Sequence, residues 1–186
     1  DASIAAHVAG WAPMGGPQYR KRMLLDPPTV AGRPVLVSEF GGVGLSMLGG
    51  GKRLAASVKV FMGSSTGSLL VQSEGALSSI LKEARLVTVH AEDEAVIREN
   101  ASQGTHEERR PKGAAISAIE KLRRHARRGA AYVCHLTSWE EAALAEPFWK
   151  EATPHHLFLT SSMMGKIGDY AKVNPPLRGE ADRQSL

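Results

Sequence analysis

Leu86-Val87-Thr88-Val89-His90-Ala91-Glu92-Asp93-Glu94 is a short run of mostly β-branched residues that ends in a histidine and then breaks into acids. Two other runs share its construction, Ser57-Val58-Lys59-Val60-Phe61-Met62 before it and Tyr132-Val133-Cys134-His135-Leu136-Thr137 after it. Each presents one side chain able to serve a metal near its C-terminal end. The separations are 31 residues from Lys59 to His90 and 45 from His90 to His135. Either span accommodates the crossover helix that parallel strands require. Three parallel strands delivering a lysine and two histidines to one end predict the rim of a (β/α) barrel.

Composition bounds the alternatives. The 186 residues suffice for one domain with a real core, and the 42% hydrophobic and 23% charged fractions are those of ordinary soluble chains. No apolar run approaches the ~20 residues of a membrane span. Asp1-Ala2-Ser3-Ile4 has no basic region leading into a long apolar one, so no secretory leader is expected. A single cysteine excludes an internal disulfide and fits a cytoplasmic setting. The net charge of +4 comes largely from a basic stretch at 109–128. No aromatic residues interleave with that stretch, so it reads as a solvated helix face and not as a nucleic-acid surface.

Residues 1–56 read as a divergent, loop-rich N-terminal segment, and 57–186 as the barrel-like part. Within the first segment, Pro34 to Phe40 forms a strand pattern closed by Gly41-Gly42. Its Val-Ser-Glu-Phe-Gly-Gly sequence resembles the strand that carries the nucleophilic glutamate, here Glu39, in some retaining glycoside hydrolases. Such enzymes need a second carboxylate about 5 Å away; the other reading of Glu39 is a strand-end acid that caps a turn or meets solvent.

Period-2 alternation puts Lys59 with Phe61 on one strand face and Thr88 with His90 on another strand's matching face. The same rule pairs Val133 with His135 and sends Cys134 to the helix side as a small buried hydrophobe. The small-residue loop 62–68 would let a ligand approach backbone closely. Helices are predicted over 75–84 and 112–128, the latter with Ile116, Ile119, Leu122 and Ala126 inward and Gly129 as its stop. Residues 98–112 read as a polar surface excursion. Ser138 and Glu141 form a capping box, and 151–159 reads as a fourth strand. Taken singly, Lys59 also fits a lysine paired with a nearby acid, and His90 a hydrogen-bonded core histidine.

Five motifs in order, Val-Lys-Val-Phe-Met-Gly-Ser-Ser-Thr-Gly (58–67), Val-His-Ala-Glu-Asp-Glu (89–94), Val-Cys-His-Leu-Thr-Ser (133–138), Glu-Ala-Thr-Pro-His-His-Leu (151–157) and Lys-Val-Asn-Pro-Pro-Leu-Arg (172–178), resemble dihydroorotases, within the amidohydrolase superfamily that also holds hydantoinases and allantoinases. The resemblance implies a partial TIM-type (β/α) barrel and a small cyclic amide as substrate, as in pyrimidine biosynthesis. It implies one or two zinc ions held by Lys59, His90 and His135, with Lys59 carboxylated, and Asn174 on the substrate. The family's His-x-His pair, its neighbouring arginine and its late catalytic aspartate have no counterpart here, so the catalytic residue is unassigned and the chain alone is expected to be nearly inactive. A non-catalytic scaffold on the same framework is the alternative. Without metal, the Lys59 ammonium is expected to face Glu92 or solvent. Neighbouring strand ends about 4.8 Å apart should bring Lys59, His90 and His135 within about 4–9 Å of one another. An incomplete barrel exposes strand edges, so a homo-oligomer is expected.

Overall fold

The computed structural model describes residues 57–64, 70–84 and 86–186, together with the backbone of 29–30, 33–34 and 37–39. Thr29–Val30 (β1) and Arg33–Pro34 (β2) pair antiparallel. Val37–Glu39 (β3) begins a five-stranded sheet that continues through Ser57–Phe61 (β4), Val87–His90 (β5), Ala131–Val133 (β6) and Trp149–Lys150 (β7). Every pairing in that sheet is parallel, and the spatial order is the chain order. Sequential parallel strands, those from β4 onward joined through helices, make one arc of a (β/α) barrel, where a doubly wound sheet would reverse direction part-way. β3 lies within the strand expected at 34–40. The other expectations for 1–56, and the Glu39 side chain, lie outside the described residues.

The helices follow from capping and apolar spacing. Glu74–Glu83 (α1) starts where the Ser73 hydroxyl accepts from the Ala76 N–H, and it buries Leu77, Ile80 and Leu81. Glu94–Glu99 (α2) is capped by Asp93, and His106–Arg109 (α3) by a Thr105/Glu108 capping box. Lys112–His125 (α4) buries Ala114, Ala115, Ala118, Ile119 and Leu122. It ends three residues before the expected Arg128; the chain then turns at Gly129, which takes φ 73°, a conformation open to glycine without steric cost. Trp139–Leu144 (α5) opens with Ser138 accepting from the Glu141 N–H, as the sequence predicts.

One face of the sheet packs on these helices. Val58, Val60, Val87, Val89, Ala131 and Val133 join Leu77, Leu81, Ile119 and Leu122 in a single buried cluster. Each fully buried valine or leucine contributes roughly 1.5–3 kcal/mol, so this face fixes the register of the sheet. The other face carries Lys59, Phe61, Thr88 and Tyr132, all half-buried.

The fourth strand differs from the expectation. The strand found here is Trp149–Lys150, just before the expected 151–159, and the expected stretch itself turns at Thr153 into a helix, Pro154–Phe158 (α6). Proline at the first helical position loses no hydrogen bond and has its φ already set, so Thr-Pro here starts a helix. Met164–Ile167 (α7) and Glu180–Ser185 (α8) complete the chain, with short 3-10 turns at Ser161–Met163 and Gly168–Ala171. Among the described residues no helix is long and apolar enough to cross a membrane.

Candidate metal centre

His90 is the last residue of β5 and is buried. Its Nε2 lies 2.8 Å from Glu92 Oε2, and its Nδ1 lies 3.1 Å from His135 Nε2. Glu92, wholly inaccessible to solvent, also receives Arg110: Nε lies 3.2 Å from both carboxylate oxygens, and Nη2 donates to Oε2. Burial alone would raise the Glu92 pKa. Hydrogen bonds from His90 and Arg110, and the guanidinium charge, overcome that and hold it at about 2. The other acids of the motif have structural work. Asp93 caps α2 and meets Lys121 at 2.7 Å and Ser117 at 2.5 Å; Glu94 accepts from the Ser64 N–H at 2.7 Å and from Arg98 at 3.0 Å.

His135 reaches His90 by a route that simple alternation misses. In parallel pairing, partners share a face, and Lys59, Thr88 and Tyr132 are such partners. Tyr132 therefore belongs to the Lys59 face. Cys134 does too, since its Sγ accepts from Lys59 Nζ at 3.2 Å. This corrects the expectation that Cys134 faces the helices with His135 opposite it. β6 stops at Val133, and His135 takes a left-handed backbone, φ 44°. That turn brings the imidazole back to His90. Burial first, then the electrostatic influence of the neighbouring His90 and Lys59, push the His135 pKa down to about 3, so the ring is neutral.

Lys59 is half-buried, with its ammonium 5.2 Å from the Phe61 ring centroid, and that ring in turn lies 5.7 Å from the His90 ring. Lys59, His90 and His135 thus share one face of the sheet. The ammonium meets the Cys134 thiol and not Glu92, because His90 and Arg110 already occupy that carboxylate. Burial pushes the thiol pKa up, and the nearby Lys59 charge only partly offsets this.

The two imidazoles fit one edge of a zinc site. Tetrahedral zinc with nitrogens at about 2.0–2.1 Å sets those nitrogens ~3.3 Å apart, close to the 3.1 Å observed. Among the described residues no group of three or more His, Cys, Asp or Glu side chains stands ready to hold a metal ion. A third donor from this face would have to come from Lys59, whose ammonium must first be converted to a carbamate.

A second buried network lies beside this pair. Arg178 donates from Nε to Thr137 Oγ1 at 3.1 Å and from Nη1 to the Arg110 carbonyl at 2.7 Å. Glu141 accepts from the Thr137 N–H at 2.8 Å and the hydroxyl at 2.5 Å. Asn174 is exposed, while both its neighbours are tethered: His106 Nε2 reaches the Val173 carbonyl at 2.8 Å, and His156 Nε2 the Pro175 carbonyl at 3.0 Å. Sequence reasoning missed the part Glu92 plays against His90, and missed Arg110 and Arg178 altogether. Glu92 and Arg178 lay inside quoted motifs, and an acid two residues after a candidate ligand was the available signal. Arg110 sits in the stretch read as a surface excursion, and nothing local marks it as buried.

No family model matches the chain. A dihydroorotase of Thermococcus kodakarensis is 40% identical over 133 residues, covering 69% of this chain and 31% of the relative. A dihydroorotase of Methanosarcina mazei is 33% identical over 153 residues, covering 69% and 34%. This chain belongs to the dihydroorotase family. It spans about a third of the length of the curated relatives it matches. A solved D-hydantoinase superposes with a TM-score of 0.66 at 21% identity, covering 97% of this chain and 43% of that one. That likeness establishes the fold: the dihydroorotase-like chain is α/β and holds part of an amidohydrolase barrel.

Proposed function

We propose that the chain carries part of the metal centre of a cyclic amide hydrolase. Lys59, His90 and His135 are the protein ligands, zinc is the metal, and Lys59 is carboxylated when metal and carbon dioxide are present. Dihydroorotate is the first substrate to consider, as in pyrimidine biosynthesis, with hydantoin and allantoin next. The observation that carries this reading is the His90 Nδ1 to His135 Nε2 distance of 3.1 Å, with Glu92 behind His90. When bound, such a metal supplies polarisation of a carbonyl and activation of water at neutral pH. The chain's own part is positional. Glu92 and Arg110 seat His90, the left-handed turn seats His135, and His106 and His156 hold the loop on which Asn174 meets substrate. The reading includes a cytoplasmic setting, in keeping with an unpaired thiol at Cys134, and self-association along the exposed β7 edge at Trp149.

A second reading, a non-catalytic scaffold, rests on the Lys59 ammonium being engaged by Cys134 at 3.2 Å. Zinc analysis separates the two. The chain is purified with zinc and 13C-bicarbonate and examined for metal content and a lysine carbamate carbon signal. Near-stoichiometric zinc with a carbamate signal that Lys59→Arg removes supports the hydrolase centre. Zinc-free protein without that signal supports the scaffold.

A further inference from the structure

Glu92 is fully buried, yet it is neither a candidate metal ligand nor a core-filling residue. It accepts on one side from Arg110, through Nε at 3.2 Å and through Nη2, and meets His90 Nε2 at 2.8 Å on the other. A guanidinium can only donate and an ionised carboxylate can only accept. His90 Nε2 has the carboxylate at 2.8 Å as its nearer partner and Arg110 Nη2 farther off at 3.4 Å, so a neutral His90 ring is held with its hydrogen on Nε2, towards Glu92. The other ring nitrogen, Nδ1, is left with a lone pair, and it is the one 3.1 Å from His135 Nε2.

We propose that Glu92 is a positioning residue: clamped by Arg110, it holds His90 as the Nε2–H tautomer, so that the Nδ1 lone pair faces His135 and any metal seated between them. The metal part rests on the hydrolase reading above; the tautomer part stands without it. The sequence supports a dedicated fit. Gly63 lies two residues past the end of β4, and a Cβ there would stand 2.6 Å from the Glu92 carbonyl oxygen and 2.9 Å from Glu92 Cβ. Absence of a side chain at 63 lets Glu92 occupy this place. Carboxylates behind metal-binding histidines fix ring orientation and tautomer, and their loss weakens metal binding about 10- to 100-fold.

The test uses Glu92→Gln in the full chain. A carboxamide offers one acceptor and one donor. Arg110 claims the oxygen, the amide N–H turns to His90 Nε2, and the ring switches to Nδ1–H, with a hydrogen where the lone pair was. Nitrogen-15 imidazole shifts of metal-free protein read the tautomer, and zinc titration reads the affinity. Expected is a change at His90 from Nε2–H to Nδ1–H and zinc binding about 10- to 100-fold weaker than wild type. Should Glu92→Gln fail to fold, Glu92→Leu combined with Arg110→Met removes both charges together. It is expected to give a mixed tautomer population and the same zinc deficit. Unchanged Nε2–H shifts in whichever variant folds would overturn the proposal. A tautomer change in a chain whose wild type takes up no zinc leaves Glu92 in its positioning role and sinks the hydrolase reading alone.

Discussion

His90 Nδ1 and His135 Nε2 lie 3.1 Å apart although the two residues come from different strands and only one of them is strand-bound. His135 reaches this position through a left-handed backbone at φ 44°. For a residue with a Cβ that conformation costs roughly 1–2 kcal/mol, and glycine is spared it. His135→Gly is therefore expected to be more stable than His135→Ala by about 1 kcal/mol in urea unfolding. Equal stabilities would mean that the turn at 135 relaxes when its side chain is removed.

The Glu92–Arg110 pair is expected to behave as a buried ion pair. Arg110→Met leaves the carboxylate with His90 alone, and the loss should be about 3–5 kcal/mol. Replacing both residues, Glu92→Leu with Arg110→Met, should recover most of it, because no unpaired charge stays buried. A double-mutant cycle by denaturant unfolding measures the coupling. Simple additivity of the two single losses would contradict this account.

Gly63→Ala is predicted to cost about 1–3 kcal/mol, the usual penalty for overpacking a site that cannot yield. The added Cβ would press on the Glu92 backbone and on Ile97 Cδ1 at 3.0 Å. Thermal unfolding checks this, and a melting temperature equal to wild type would contradict it. The sequence suggests a ligand approaching backbone in this loop; at Gly63 it is Glu92 that makes the close approach.

Stability should fall as pH drops from about 6.5 to about 4. Burial lowers the His156 pKa from 6.5 to about 4, against the pull of the Pro175 carbonyl. The unfolded chain therefore takes up a proton in that window while the folded chain does not, and folding loses up to about 3 kcal/mol at the acid end. His135, lowered to about 3, adds to the same limb. His156→Gln should make the limb shallower, as seen in unfolding midpoints between pH 4 and 7. An unchanged slope would contradict a neutral, buried His156.

The strands were legible because β-branched alternation in 57–62 and 86–91 reports a sheet with one buried face, and that face is the observed core. What escaped was decided by contacts distant in sequence or by a break in the period. Cys134 shares a face with Tyr132, as alternation requires, but that face is the Lys59 side and not the helix side. His135 reaches His90 as expected, though by a left-handed turn after β6 ends at Val133 and not by strand alternation. Arg110 reads as part of a polar loop until Glu92, 18 residues earlier, is placed against it. The fourth strand expected over 151–159 is absent there, because proline at 154 opens a helix, and the strand ends ahead of it at Lys150. Residue type and motif single out Lys59, His90 and Asn174 as candidates, but the partner of Lys59, the Cys134 thiol, follows from strand register alone.

The claim that His90 and His135 form one edge of a metal site is tested most directly by titrating the metal-free full chain with cobalt(II), following the absorption of its ligand-field bands. Wild type is predicted to bind cobalt with a tetrahedral-type spectrum, and both His90→Ala and His135→Ala to lose that spectrum while retaining the fold by circular dichroism. A wild-type chain that gives no such spectrum, or variants that give it with undiminished affinity, would contradict the account.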